Sequence, residues 1–100
     1  MAEIVPFQLT PKQALDMIRS LASDTDKIVI VGHAQTRQKQ RRISRRQVEL
    51  CVQRGTITEG PFLNTFGNWQ VNLFRHAAGE EMTCTVAIEW ASHLIVVTVF

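Results

Sequence analysis

The sequence of 100 residues contains no tyrosine, two cysteines and three histidines, and the cysteines do not form a CxxC pair. Without tyrosine, no phenolic side chain can act as an acid or base in any chemistry that this chain performs. Cys51 and Cys84 are far apart in the sequence, and we expect both to be buried as small hydrophobic side chains. His33, His76 and His93 show neither an HxxxH nor a His/Cys spacing, so no metal site is predicted.

Other absences narrow the class of protein further. No Gly-rich phosphate loop and no serine nucleophile elbow occurs, so nucleotide-dependent and serine-hydrolase chemistry is not expected, and no cofactor is predicted. No apolar run approaches the ~20 residues that span a bilayer, so no membrane association is expected. The first residues, MAEIVPFQLT, lack a basic segment followed by an apolar stretch. We therefore expect a cytoplasmic protein without a secretory signal.

The first half of the sequence carries helix signals. The length and the 45% hydrophobic content predict a single domain over residues 1–100. A Thr-Pro start and an apolar face predict a helix over residues 10–23. Residues 27–33, KIVIVGH, form either a short strand or an extended lead into the next helix. Ser44 and Gln47 have the spacing of a capping box, which predicts the start of a further helix.

After Gly55 the hydrophobic period changes from that of a helix to that of a strand. Residues 69–76, WQVNLFRH, and 82–90, MTCTVAIEW, alternate in polarity, and Trp90 is expected in the core. Residues 94–100, LIVVTVF, are apolar on both faces almost throughout, as in a central strand. Helices followed by such strands predict an α+β fold, in which the N-terminal helices pack on a mostly antiparallel β-sheet.

The most unusual stretch runs from residue 37 to 46, which holds six of the eleven cations and no acid. His33, Arg37 and Arg41 are spaced at i, i+4 and i+8, so they share one face if residues 32–42 are helical. Guanidinium groups bind phosphate in a bidentate way, and imidazole exchanges protons near neutral pH, so the group fits binding or cleavage of a nucleic-acid backbone. The alternative is a solvated basic helix whose cations pair with acids elsewhere in the fold, namely Glu49, Glu59, Glu80 or Glu81.

Two further pairs of basic residues are candidates for phosphate binding. Arg45 and Arg46 occupy the first turn of the capped helix, where the macrodipole disfavours cations. Such a local violation indicates either a functional use or an acidic partner that covers the site. Arg75 and His76 end a strand, and they either bring a second His-Arg pair to the face of the sheet or lie exposed at a turn.

Aromatic side chains are candidates for stacking on bases. Trp69 and Phe66, flanked by asparagines and a glycine, resemble the aromatic platforms that bind single-stranded nucleic acid. The alternative is that Trp69 belongs to the core and that its polar neighbours only form a turn.

The segment HAQTRQKQRRISRRQVELCVQRGTI, followed by strands that end in LIVVTVF, resembles an uncharacterised bacterial domain family. That family has an HAxxRxxxRxIS signature and a terminal IVITVY-like strand, and it is grouped with RelE/ParE-like toxins and with small ribonucleases of barnase-like α+β fold. The resemblance covers residues 28–100 and implies that residues 10–23 are an N-terminal helical addition. At position 42 of the chain glycine would be more usual in the family, and tyrosine is common where Phe100 stands.

The resemblance also implies an activity. Relatives of this fold are mostly metal-independent endoribonucleases, often toxins held by a cognate antitoxin, in which the ribose 2′-OH attacks the adjacent phosphate and leaves a 2′,3′-cyclic phosphate. Such chemistry needs an acid, a base and cations around the phosphorane. His33, Arg37 and either Arg41 or Arg42 fall on the signature positions.

If the chain is such an enzyme, His33 or His76 transfers the proton. The expected phosphate-binding and RNA-binding residues are Arg37, Arg41, Arg42, Arg45, Arg46, Arg75 and Trp69. The alternative function is a non-enzymatic module that binds an antitoxin or another acidic protein. If the terminal strand is not central, its exposed edge would allow self-association.

Overall fold

The computed structural model of the protein describes residues 9–77 and 79–100. The expectation that the chain starts without a secretory signal concerns residues 1–8 for the most part, which lie outside the described residues. In the described ranges no helix combines the length and the apolar character that crossing a membrane requires. The elements follow one another as α1 (Pro11–Ala22), a 3-10 turn (Thr25–Lys27), β1 (Ile28–Ile30), α2 (Gly32–Gln40), α3 (Arg45–Arg54), β2 (Thr56–Leu63), β3 (Trp69–Ala77), β4 (Glu80–Glu89) and β5 (His93–Val99).

Capping boxes begin α1 and α3. The box at Ser44 was predicted, whereas for α1 the sequence predicted only a Thr-Pro start. The hydroxyl of Thr10 accepts a hydrogen bond from the backbone N–H of Gln13, and the Gln13 side chain accepts one from the N–H of Thr10. Ser44 and Gln47 make the same reciprocal pair at the start of α3. Each box satisfies two backbone donors that the helix itself leaves unpaired, so both starts are determined locally.

The five strands form one sheet with the order β1-β5-β4-β3-β2. Strands β2 to β5 are a continuous antiparallel meander, and β1 adds to β5 in parallel. The fold is therefore α+β with a mostly antiparallel sheet, which confirms the prediction, and KIVIVGH contains a true strand. Strand β5 is internal, and its residues Leu94, Ile95 and Val96 have a partner strand on both sides. The predicted self-association cannot use a free edge of β5 at these three residues.

Helices α1 and α3 pack together on one face of the sheet. Both cysteines are buried in the core between the helices and the sheet, as predicted. Trp90 was expected there as well, but it lies at the β4–β5 turn with 37% of its surface exposed. The largest fully buried side chains are Ile18, Ile28, Val48, Cys51, Val52, Val71, Leu73, Cys84, Val86, Leu94, Val96 and Val99.

The other face of the sheet carries the alternate residues of the same strands. In β3, Val71 and Leu73 enter the core, so Gln70, Asn72 and Phe74 lie on the opposite face. Helix α2 packs against β5, next to the short strand β1. The basic segment is therefore placed at one edge of the sheet, while α1 and α3 occupy one of its faces.

Gly55 ends α3 at a close approach of two backbones, and it supplies a test of the packing. Its φ of −68° suits any residue, but a Cβ atom there would overlap the carbonyl oxygen of Cys51 and lie 3.1 Å from that of Phe74. We expect Gly55→Ala to lower the free energy of unfolding by about 1–3 kcal/mol because the backbones must move apart. The measurement is urea denaturation followed by circular dichroism.

Gly32→Ala is the matched control for this substitution. Gly32 begins α2 and has no atom within 4 Å of an added Cβ. Alanine should be neutral there or stabilise the protein by up to about 1 kcal/mol, because it restricts the unfolded chain. Equal unfolding midpoints for the two variants would contradict the close approach at Gly55.

Candidate functional site

Helix α2, GHAQTRQKQ, carries one apolar side chain, and few of its contacts anchor it. Ala34 is its one buried residue. The Gln35 side chain donates a hydrogen bond of 2.9 Å to the carbonyl of Ile30, and the hydroxyl of Thr36 donates one of 3.1 Å to the carbonyl of Gly32. The helix therefore depends on the end of β1 and on β5 for its position, and most of its surface is open to solvent.

The C-terminal end of α2 is a Schellman motif with an unusual residue. The backbone N–H of Arg42 donates to the carbonyl of Lys39 at 3.2 Å, and that of Ile43 donates to the carbonyl of Gln38 at 2.8 Å. This turn places Arg42 at φ 54°, in the left-handed region that glycine normally occupies. Glycine adopts this conformation without steric strain, which is the physical reason for expecting glycine at such a position.

The basic segment is divided between two sides of α2. Since successive residues of a helix are rotated by about 100°, His33, Arg37 and Arg41 follow one line along the helix. Lys39 and Arg42 lie on the other side. They line a cavity of about 330 Å³ between α2 and the start of α3. The cations of this segment thus lie on two separate surfaces of the protein.

Four of these cations have no acidic partner in the described part of the chain. Arg37, Lys39, Arg41 and Arg42 take part in neither an ion pair nor a side-chain hydrogen bond among residues 9–77 and 79–100. All four are exposed. Pairing with the acids of the fold therefore does not explain why these cations are present.

Arg45 and Arg46 are different, because both pair with Glu49 one turn further along α3. Arg45 donates from Nε to Glu49 Oε2 at 2.9 Å, and Arg46 approaches Glu49 Oε1 with Nη1 at 3.4 Å. Arg45 Nη2 also donates to two carbonyl oxygens before and in β1, at 2.8 Å to Ile28 and 3.2 Å to Thr25. Arg45 therefore ties α3 to the strand that precedes α2, which is a structural reason for a cation in the first turn.

Arg75 and His76 do not form a joint site. As neighbours in β3 they point to opposite faces of the sheet. Arg75 lies on the face that carries α3, where it lines a cavity of about 270 Å³ with Gln47 and Leu50. His76 is exposed on the other face.

The two cysteines lie in the core between α3 and β4. The interaction with the Cys84 side chain lowers the pKa of Cys51, while the same interaction together with burial raises the pKa of Cys84. The Cys51 thiol also lies 3.6 Å from the carbonyl oxygen of Leu73. Among the residues that the structure describes, no group of three or more His, Cys, Asp or Glu is arranged as metal ligands.

Of the two aromatic candidates, Phe66 is the exposed one. Trp69 is half-buried and packs against the hydrophobic core. Phe66 stands on the β2–β3 loop with 87% of its surface exposed. Asn64 shapes this loop, because its Oδ1 accepts hydrogen bonds from the backbone N–H groups of Phe66 and Asn68 at 2.9 and 3.0 Å. Phe66 is therefore the candidate whose ring is exposed enough to stack on a base.

An apolar groove of about 770 Å³ connects this loop to the start of α2. It lies on the sheet face opposite to α1 and α3, with Ala87, Ile95 and Val97 among its lining residues. Phe66 and the half-exposed Phe62 line it as well. Its other end is Val31, the N-cap residue of α2. The groove thus ends next to His33 in the chain, where the line of basic residues begins.

A chain of polar side chains lies beside the groove, and sequence reasoning missed it. The hydroxyl of Thr85 donates to Asn72 Oδ1 at 2.7 Å, and Asn72 Nδ2 donates to Glu59 Oε2 at 3.2 Å. The three residues come from β4, β3 and β2. Asn72 and Thr85 alternate with core residues in the sequence, and Glu59 follows a register shift in β2, so only the strand pairing brings the three together. Sequence reasoning also missed Phe62, because only the pairing of β2 with β3 brings this residue to the groove.

A comparison with protein families places the chain. The model of a family described as Domain of unknown function (DUF4258) matches residues 30–100. The chain belongs to the DUF4258 family. The DUF4258 match begins at the end of β1 and includes α2, α3 and strands β2 to β5, so the basic segment and the groove lie within it, whereas α1 precedes it. No curated protein and no solved structure matches the chain.

The match to the DUF4258 family over residues 30–100 confirms the prediction that this part of the chain belongs to an uncharacterised domain family. The relation of this family to RelE/ParE-like toxins and barnase-like ribonucleases stays a prediction, and so do the roles of the individual histidines and arginines.

The structural role of Arg45 can be tested against Arg46. We expect Arg45→Met to lower the free energy of unfolding by about 1–2 kcal/mol, because the carbonyl groups of Ile28 and Thr25 lose a charged donor. Arg46→Met removes only a long ion pair whose arginine is exposed, and Glu49 keeps Arg45, so stability should change by less than about 0.5 kcal/mol. Urea denaturation measures both, and equal losses would contradict the tie to β1.

Proposed function

We propose that this DUF4258 domain binds single-stranded RNA, with the phosphates on the exposed basic side of α2 and the bases in the adjoining groove. The observation that carries the proposal is a set of cations without acidic partners in the described part of the chain, near one end of an apolar groove lined by exposed phenylalanines. Cations that follow a backbone and aromatic rings that stack on bases are the two parts of a binding site for single strands.

The phosphate part of the proposed site is the line His33, Arg37 and Arg41. Successive members are four residues apart, a rise of about 6 Å along the helix, so neighbouring phosphates of one strand can contact neighbouring side chains. Arginine contributes planar, charge-assisted hydrogen bonds to each phosphate. Because these arginines are not engaged by acids of the described fold, binding does not require any ion pair to be broken.

The base part of the proposed site is the groove. Its apolar lining and the rings of Phe62 and Phe66 favour uncharged, planar groups over phosphates. Glu89 also lines the groove, and its negative charge repels phosphate. Only unpaired bases can enter such a groove and stack on Phe66, which is the reason for proposing single-stranded rather than duplex RNA.

Cleavage of the RNA is a second candidate function. The position of His33 favours it, because this imidazole stands in line with Arg37 and Arg41, where a bound phosphate would lie. His33 is in this respect better placed for proton transfer than His76, which lies at the far end of β3. In this proposal the arginines stabilise the charge on the phosphorane, and the product carries a 2′,3′-cyclic phosphate.

The first test is the binding of a mixed-sequence, single-stranded RNA in EDTA as a function of salt. We expect Arg37→Ala and Arg41→Ala each to weaken binding by at least about threefold and to lower the salt slope by about one unit, since each loses one phosphate contact. Arg19→Ala is the matched control, because Arg19 is an exposed helical arginine on α1. Equal effects of all three would indicate unspecific attraction by net charge and contradict the site.

The same incubation separates cleavage from binding. Fragments with 2′,3′-cyclic phosphate ends that disappear in His33→Ala and Arg37→Ala would establish a metal-independent ribonuclease. Intact RNA with salt-sensitive retention on a filter would establish a binding module. If RNA is neither cleaved nor retained, the proposal is wrong, and an acidic protein such as an antitoxin becomes the partner to look for.

The role of the groove can be tested through Phe66. We expect Phe66→Ala to weaken RNA binding by about 1–3 kcal/mol, the range for loss of a ring that stacks on a base, without changing the binding of inorganic polyphosphate. Phe100→Ala is the control, because Phe100 is half-exposed and does not line the groove. A parallel loss of RNA and polyphosphate binding in Phe66→Ala would show that the groove does not receive bases.

A further inference from the structure

Arg42 occupies a backbone position for which its side chain is unfavourable. The two Schellman hydrogen bonds are made by backbone groups, so the turn needs no particular side chain at this residue. Glycine would make the same bonds without the steric penalty of a Cβ atom at φ 54°. A residue that breaks a local rule where an easier choice exists suggests that the side chain itself has a use.

The cavity next to Arg42 shows what this use can be. It measures about 330 Å³ and lies between α2, the turn that follows it and the start of α3. Three cations line it, and among the described residues no carboxylate does. Arg45 is already held by the carbonyl of Ile28 and by Glu49, so Lys39 and Arg42 are the two cations of this lining without a partner in the described chain.

We propose that this cavity is a binding site for a phosphate monoester, with Lys39 and Arg42 as the anion-binding side chains. Two cations next to one small cavity match the double charge of a monoester better than the single charge of a diester. Arg42 offers planar bidentate contacts, and Lys39 adds a point charge. The amide of Gln38, which also lines the cavity, is a further hydrogen-bond donor.

This site is distinct from the surface proposed for the RNA backbone. Arg37 and Arg41 lie on the other side of α2, so a ligand in the cavity does not contact them at the same time through one phosphate. The inference therefore goes beyond RNA binding and does not rest on it. The monoester comes either from the end of a nucleic-acid strand or from a free phosphate or mononucleotide, which share the same chemistry.

The test is a titration of the full chain with inorganic phosphate and with adenosine monophosphate, followed by backbone amide chemical shifts. We expect saturable shifts in the turn at residues 41–45 and an affinity at least fivefold lower in Arg42→Gly. Because glycine suits this backbone position, the same variant should have an unfolding midpoint in urea equal to or above that of the wild type. The loss of binding then cannot come from unfolding.

Lys39→Gln should also weaken phosphate binding at least fivefold. Arg19→Ala should leave it unchanged, because Arg19 is an exposed arginine of α1 outside both proposed sites, although all three substitutions remove one positive charge. The inference is overturned if the wild type shows no saturable shifts, if Arg42→Gly binds phosphate like the wild type, or if Arg19→Ala loses as much affinity as Arg42→Gly.

The two sources of the monoester are distinguished by measuring the binding of two otherwise identical RNA strands. One strand carries a 5′-phosphate and the other a 5′-hydroxyl. Tighter binding of the phosphorylated strand, lost in Arg42→Gly, assigns the site to a strand end. Equal binding of both strands, with phosphate and mononucleotide still bound, assigns it to a free monoester. Failure of the RNA proposal would instead appear as Arg37→Ala having no effect on either strand, so the two proposals fail separately.

Discussion

The pairing of β5 on both sides is the interaction on which the rest of the structure depends. On one side β5 joins the parallel strand β1, and on the other it joins the antiparallel meander. Since β1 leads directly into α2, this pairing brings the first, helical part of the chain to the edge of a sheet made by the second part. The groove has Val31, at the end of β1, and Ile95 of β5 in its lining, so it exists only because the two strands are neighbours.

The basic segment shows that one run of similar residues can have several physical roles. Arg45 donates to backbone carbonyl groups and to Glu49, so its charge is used within the fold. Arg37 and Arg41 face away from the cavity that Lys39 lines, and their charges are not compensated by described neighbours. A count of cations therefore overstates the number available for an anionic partner, and the hydrogen bonds of each side chain decide which ones are available.

Helix α1 precedes the range that the family model matches, yet it is part of the core. Its residues Ala14 and Ile18 are completely buried, and the helix packs on α3 and the sheet. In this chain the covered face of the sheet therefore depends on a segment outside the family match. Removal of α1 would expose to water the part of α3 on which α1 packs.

The sequence by itself determined the fold class and the elements that carry a clear local signal, whereas it left open the strand within residues 27–33 and the helix within residues 32–42. The capping box at Ser44, the alternation in β3 and β4 and the apolar run of β5 are local patterns, and each one is sufficient because a helix start or a strand face is decided by residues close together in the chain. Tertiary structure decided which candidates are available to a ligand. Phe66 is exposed while Trp69 is packed against the core. Arg45 donates to the carbonyl of Ile28, while Arg42 has no side-chain partner among the described residues. The contacts that make these differences come from residues distant in sequence and depend on strand order and register.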